Sequence, residues 1–261
     1  MLSLPAEEIH LWFCRPHELE LDRSYTQLLQ ATLDAGELQR MRRFKFERHR
    51  QQFCVSHALT RWVLSHYAAV QPEQWQFEKN SHGKPFVSNP AYRDLQFNLS
   101  HTEGLQLLAV RRALPVGADV EQRKRRAEGP DIAERFFSAA EVAELRGVPD
   151  SDQKQVFFDY WTLKESYIKA CGKGLAIPLR HFSYSIAQDA IGINFAPERD
   201  DEPSDWQFWL LAAGGNHTCA VAASGVSQAT RITRLRGWDV EPMRDAKERR
   251  IDILKQSRQT Y

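Results

Sequence analysis

The chain has 261 residues, enough for one large domain or two modest ones with a real hydrophobic core. It is 42% hydrophobic and 26% charged, as soluble globular proteins are, and 35 Lys+Arg against 34 Asp+Glu leave a formal net charge of +1. That balance excludes a global electrostatic demand for nucleic acid or an anionic membrane, so neither is expected as a partner.

In chain order, residues 9–14 (Ile-His-Leu-Trp-Phe-Cys) read as a buried opening strand. Helices are expected at 25–33 and from Ala35, the second running through a basic cluster (Arg40, Arg42, Arg43) into Phe44. Between 49 and 67, Phe53, Ala58, Leu59, Trp62 and Val63 recur at helical spacing, which predicts a long amphipathic helix. Gly83-Lys84-Pro85 signals a turn. Strands at 95–99 and 105–110 flank a polar turn, Ser100-His101-Thr102-Glu103-Gly104. Pro115 opens a second unit with a strand through Asp119 and a helix at 131–137. Ser138 and Glu141 follow at capping-box spacing. A long helix at 152–171 then stops at Gly172, and strands are expected at 181–186, 191–195, 206–212 and 217–223. Each half places a long helix before strands, which predicts an α+β fold of two related halves, 1–114 and 115–225, with no evident residue-level repeat. The remainder, 226–261, reads as a charged C-terminal extension, helix-prone from Val240 and either loosely docked or partly disordered.

Four cysteines, Cys14, Cys54, Cys171 and Cys219, form no CxxC pair, so thiols in a reducing compartment are expected rather than a disulfide framework or zinc. Glu7 and Glu8 lie where a secretory signal would be apolar, and no run of about 18 apolar residues occurs. A cytoplasmic protein is expected.

Three acids carry the candidate chemistry. On a strand, Asp119 and Glu121 share a face, where two carboxylates repel unless a cation or donors intervene. The pair fits a hard divalent ion such as Mg²⁺, or a solvated face paired with the basic run Arg123-Lys124-Arg125-Arg126. Glu165 lies on the long helix in line with Trp161 and Lys169, beside Phe157, Tyr160 and Ile168. It is either half of a surface Glu–Lys pair or a partly desolvated acid that favours a metal. The Asn98-Leu99-Ser100-His101 segment makes no catalytic triad, and His101 is open to a structural or an anion-binding role. The basic cluster at 40–45 is a solvated face or a phosphate site.

In this order Gly83-Lys84-Pro85, Asn98-Leu99-Ser100-His101, Gly117-x-Asp119-x-Glu121, Arg135-Phe136-Phe137-Ser138 and Trp161-x-x-Lys164-Glu165-Ser166-Tyr167-x-Lys169 resemble the 4′-phosphopantetheinyl transferase superfamily. The similarity is to its monomeric surfactin-synthetase-activating type, and it covers about residues 35–185. It implies two similar α/β halves about a pseudo-two-fold, with coenzyme A in the cleft between them. It implies transfer of the 4′-phosphopantetheine arm of coenzyme A to a serine of an apo acyl or peptidyl carrier protein, releasing adenosine 3′,5′-bisphosphate.

By the same resemblance Asp119, Glu121 and Glu165 form a Mg²⁺ site, and Lys169 contacts the pyrophosphate. Arg40 and His101 hold the 3′-phosphate, while Lys79, Lys84 and Ser100 line the adenosine-phosphate pocket. Glu165, directly or through a metal-held water, is the candidate base for the serine. Glu141 matches a family acid near the site, but its capping role comes first. The implied state is a monomer that meets its carrier protein transiently. Another Mg²⁺-dependent phosphoryl-transfer enzyme, or a non-enzymatic coenzyme A or carrier-protein binder, are the competing readings.

Overall fold

The computed structural model describes residues 1–123, 129–187, 190–225 and 231–257. The opening strand is β1 (Glu8–Cys14), buried along its whole length. Two short helices follow, α1 (Arg23–Ala31), capped by Asp22, and α2 (Ala35–Arg42), capped by an Asp34–Glu37 capping box. The long amphipathic helix is α3 (Glu47–Leu64). Lys84 sits in a tight hairpin between β2 (Phe77–Lys79) and β3 (Pro85–Val87), with Gly83 at φ 89 supplying the left-handed residue. The half closes with β4 (Leu95–Thr102) and β5 (Leu105–Arg112). The expected polar turn is therefore shorter than its composition suggests. Ser100, His101 and Thr102 continue β4, and only Glu103 and Gly104 turn. Pairing with β5 overrides the weak strand propensity of these polar residues.

The second half runs β6 (Val116–Gln122), α4 (Gly129–Phe136), α5 (Ala139–Gly147), α6 (Asp150–Cys171), β7 (Phe182–Ile186), β8 (Ala190–Phe195), β9 (Trp206–Ala212) and β10 (His217–Ser224). Gly172, at φ 69, ends α6 as expected. The tail departs from expectation. Rather than a loose helix it forms β11 (Arg234–Glu241), β12 (Asp245–Arg249) and β13 (Asp252–Ser257). The reason is burial at period two. Trp238 and Val240 enter the core under α3, and Trp238 stacks on Trp12 at 4.5 Å between centroids, which outweighs the helix propensity of the charged residues around them.

One sheet has the order β12-β11-β1-β5-β4 and the other β6-β10-β9-β13-β8-β7. The topology repeats. In each half the strand before the long helix pairs with the last strand, which pairs with the one before it (β1-β5-β4 and β6-β10-β9), and a hairpin follows the helix. The tail serves both, β11 adding to β1 and β13 to β9 and β8. Alternation along the strands builds three cores. Trp12, Leu108 and Val110 pack under α3, whereas Ile9, Leu11, Leu107 and Ala109 face Val116, Ala118, Trp209 and Val221 of the other sheet. A third cluster joins α6 to β7, β8 and β9 through Tyr160, Leu163, Tyr167, Phe182 and Phe208.

A residue-level repeat is also present. In the first half Glu37, the capping-box acid of α2, pairs with fully buried Arg61 of α3 at 2.8 Å, and Arg61 donates on to the carbonyls of Pro72 and Trp75. In the second half Glu141, the capping-box acid of α5, pairs with fully buried Lys164 of α6 at 2.9 Å. Lys164 likewise donates on, to the carbonyls of Leu179 and Phe182. Each half thus ties its short helix, its long helix and the turn that follows through one buried cation.

Candidate active site

Gly117 explains how the site comes together. A Cβ there would lie 2.0 Å from the carbonyl oxygen of Ser166 and 2.4 Å from the amide nitrogen of Ala170. Only glycine lets the backbone of α6 rest directly on β6. Two residues on, Asp119 faces the same helix, while Ala118 and Val120 point into the core between the sheets.

The last turns of α6 are buried at Leu163, Lys164, Ser166, Tyr167, Ile168 and Ala170, leaving Trp161, Glu165 and Lys169 half-buried along one line. Lys169 Nζ donates to Asp119 Oδ1 at 2.5 Å and to Ser100 Oγ at 3.0 Å. Ser100 Oγ in turn donates to Asp119 Oδ1 at 2.9 Å. The neighbouring N–H groups of β6 are met from β4. Ala118 N–H donates to Asn98 Oδ1 at 2.8 Å and Val120 N–H to Ser100 Oγ at 3.2 Å. Asn98 and Ser100 therefore stitch the two halves together by side chains where no sheet ladder runs between them.

The electrostatics are those of crowded acids around one cation. Burial, then the Asp119 carboxylate, raises Glu165 to about 7, with Glu121 adding to the rise and Lys169 opposing it. Burial works against the Lys169 ammonium, but Asp119, and behind it Glu165 and Glu121, outweigh that and hold its pKa above the usual value. The other oxygen of Asp119, Oδ2, is buried with no hydrogen-bond partner among the described residues. Among those residues no three His, Cys, Asp or Glu side chains converge into a ready-made metal cluster. Mg²⁺ does not require one, since it takes one or two carboxylates and completes its shell with water and phosphate oxygens. A bare buried carboxylate oxygen beside two further acids fits that ion.

The remaining predicted residues are spread more widely. Lys84 crosses from the β2–β3 hairpin to the second half and donates to the carbonyls of Val116 at 3.2 Å and Ala170 at 3.0 Å; burial lowers it to about 8. Asn80 Nδ2 donates beside it to Gly172 O at 2.7 Å, so the hairpin clasps the end of α6. Arg40, on the last turn of α2, and Lys79, on β2, are exposed. His101 is exposed near the end of β4, and no contact joins it to Arg40 among the described residues.

Glu141 caps α5, as the sequence indicates, and is wholly buried against Lys164. A lysine on the apolar face of α6, beside a capping-box acid, was the available signal for that pair. Of the second basic run, Arg123 donates to Gln155 and to the carbonyl of Gly215, and residues 124–126 lie outside the described residues. All four cysteines are free, and Cys14, Cys54 and Cys219 are buried. Among the described residues no helix is long and apolar enough to cross a membrane.

A sequence model of the 4′-phosphopantetheinyl transferase superfamily matches residues 115–222, and one of the 4′-phosphopantetheinyl transferase N-terminal region matches residues 20–112. The 4′-phosphopantetheinyl transferase HetI of Nostoc sp. is 35% identical over 227 residues, covering 86% of this chain and 91% of that protein. The 4′-phosphopantetheinyl transferase Sfp of Bacillus subtilis is 32% identical over 151 residues, 58% of this chain and 65% of that protein. A solved holo-(acyl-carrier-protein) synthase from Bacillus anthracis, in complex with coenzyme A (3′,5′-ADP), is 16% identical with a TM-score of 0.36, over 44% of this chain and 97% of that one. With both halves matched and a transferase aligned along nearly its whole length, the chain belongs to the 4′-phosphopantetheinyl transferase superfamily.

Proposed function

We propose that this enzyme transfers the 4′-phosphopantetheine arm of coenzyme A to a serine of an apo acyl or peptidyl carrier protein in a Mg²⁺-dependent reaction. The observation that carries the reading is the Ser100–Asp119–Lys169 junction, with Glu165 against it, where the two family-matched halves meet. The serine Oγ attacks the phosphorus that bears the pantetheine arm. The bond from that phosphorus to the bridging oxygen breaks, and adenosine 3′,5′-bisphosphate leaves with the electron pair.

Glu165 takes the serine proton, being the acid on the helix line that faces Asp119 and Lys169. Lys169 offsets the charge that develops on the phosphoryl group and the bridging oxygen. Asp119, Glu121 and Glu165 would hold Mg²⁺, which when bound supplies Lewis-acid neutralisation of the pyrophosphate. Arg40 and His101 hold the 3′-phosphate, beside Lys79. Lys84 and Ser100 belong to the walls of the same pocket, and their bonds to Val116, Ala170 and Asp119 keep those walls in place.

In this reading residues 1–114 supply the 3′-phosphate side and residues 115–225 the metal side. One chain holds both, so the enzyme works as a monomer and meets its carrier transiently. Its four free cysteines suit a reducing, cytoplasmic setting. Chromatography of the nucleotide product tests the reading. Adenosine 3′,5′-bisphosphate should form only when coenzyme A, Mg²⁺ and an apo carrier are all present. Formation without a carrier, or none with any carrier of a panel, would overturn it.

A further inference from the structure

Gln106 is fully buried, and neither its Nε2 nor its Oε1 has a hydrogen-bond partner among the described residues. Such a side chain is a poor choice for a core, where an apolar residue of the same shape would be at least as stable. Its place in the sheet suggests what it does. In the antiparallel pairing of β4 and β5, Gln106 lies directly opposite His101, and on its other side β1 sets Cys14 opposite it. Directly opposed residues share a face, with Cβ atoms roughly 4.5–5.5 Å apart.

The face is the one covered by α3. Leu99 precedes His101 along β4, Leu108 follows Gln106 along β5, and Trp12 precedes Cys14 along β1, all within the core beneath that helix. The surroundings are dry enough that burial pushes the Cys14 thiol up to about 12. Apart from that thiol, His101 is the only hydrogen-bonding side chain directly opposed to the Gln106 amide, and its imidazole makes no hydrogen bond among the described residues. Two polar side chains thus stand opposite one another, unpaired, one sealed in the sheet and one at the rim.

We infer that Gln106 is a positioning residue for His101. Its Nε2 donates to the bare ring nitrogen of His101 as the ligand arrives, which fixes the neutral imidazole so that its one N–H faces the 3′-phosphate of coenzyme A. The inference rests on the proposed role of His101 at that phosphate. A neutral amide suits the task, because it orients the ring without placing a negative charge beside an anion site.

The test compares coenzyme A with 3′-dephospho-coenzyme A in the wild type, Gln106→Met, His101→Ala and the double variant. Gln106→Met should melt no lower than the wild type, since it removes an unmet buried amide. It should raise KM for coenzyme A about tenfold, as lost orienting partners do, and KM for the dephospho form far less. In the His101→Ala background it should add nothing. The inference is overturned if Gln106→Met shifts both KM values alike, or neither, while His101→Ala removes the discrimination. If His101→Ala itself leaves the discrimination intact, the 3′-phosphate assignment falls and this inference with it. Nitrogen-15 NMR of the wild-type imidazole gives a reading that needs no Gln106 variant. Adenosine 3′,5′-bisphosphate should slow exchange of the His101 ring N–H, and unchanged exchange in the saturated complex would equally overturn the inference.

Discussion

The two carboxylate oxygens of Asp119 live in different surroundings. Oδ1 takes Lys169 and Ser100, while Oδ2 is buried with neither donor on it. Asp119→Asn should therefore leave the strand in place and lower transfer by about 100-fold or more, the usual scale for a lost electrostatic group in a desolvated site. Glu165→Gln should reduce kcat by roughly 10²- to 10⁴-fold, the range typical of a lost general base. Its thermal midpoint in EDTA should be no lower than that of the wild type, because the acid it replaces is buried and crowded by Asp119 and Glu121. A variant that kept near-wild-type kcat in single-turnover assays would remove Glu165 from the role of base. Strand alternation and helix spacing made it legible in the sequence that Asp119 and Glu121 share a strand face and that Glu165 and Lys169 lie on one helix line, whereas the roles assigned to them came from the family resemblance. The tasks of Lys84 and Ser100 were not legible there. Which carbonyl or carboxylate a polar group reaches depends on how two distant segments approach, and local pattern does not encode that.

At the scale of elements, the same device holds each half, a capping-box acid bonded to a buried cation of the long helix. The sequence revealed the cap at Ser138 and Glu141 but not the pairing, since which acid a helix cation reaches is settled only when the helices pack. The burial of Arg61 and Lys164 makes the acids consequential. Burial alone would raise Glu37, but His57, the Asp34 N–H and Arg61 outweigh it and hold its carboxyl at about 2. A carboxyl held below its unfolded value stabilises the fold above pH 4.5 and loses that effect as pH falls toward 2, here about 3 kcal/mol in all. The stability gap between wild type and Glu37→Gln in urea titrations should therefore narrow as pH falls through that window. A gap that stayed constant would contradict the account. Gly117→Ala puts a methyl where the backbone of α6 passes, so it should cost at least 1–3 kcal/mol, roughly the scale of core overpacking, and weaken Mg²⁺-dependent transfer by displacing Lys169 from Asp119. Calorimetry and a transfer assay on the same preparation check both.

At the scale of the whole molecule, the two sheets share a core, and the candidate site sits where β4 of the first meets β6 of the second. The α+β class and most elements up to β10 could be read from apolar periodicity. The tail could not, because among the described residues its strands carry only Trp238 and Val240 as deeply buried side chains and take their structure from the edges they complete. It belongs to the fold rather than trailing from it. A chain ended after Gly225 should thus expose β1 and β9 as open edges and fail to give a folded, soluble species by circular dichroism and gel filtration. A soluble, active 1–225 chain would show the tail to be dispensable.

The central claim is tested most directly by the intact mass of an apo carrier protein after incubation with the enzyme, coenzyme A and Mg²⁺. The account predicts a gain of one phosphopantetheine per carrier, lost with EDTA, with Asp119→Asn, or when the acceptor serine is alanine. No gain on any carrier of a panel, or a gain that persists in EDTA or on the serine-less carrier, would contradict it.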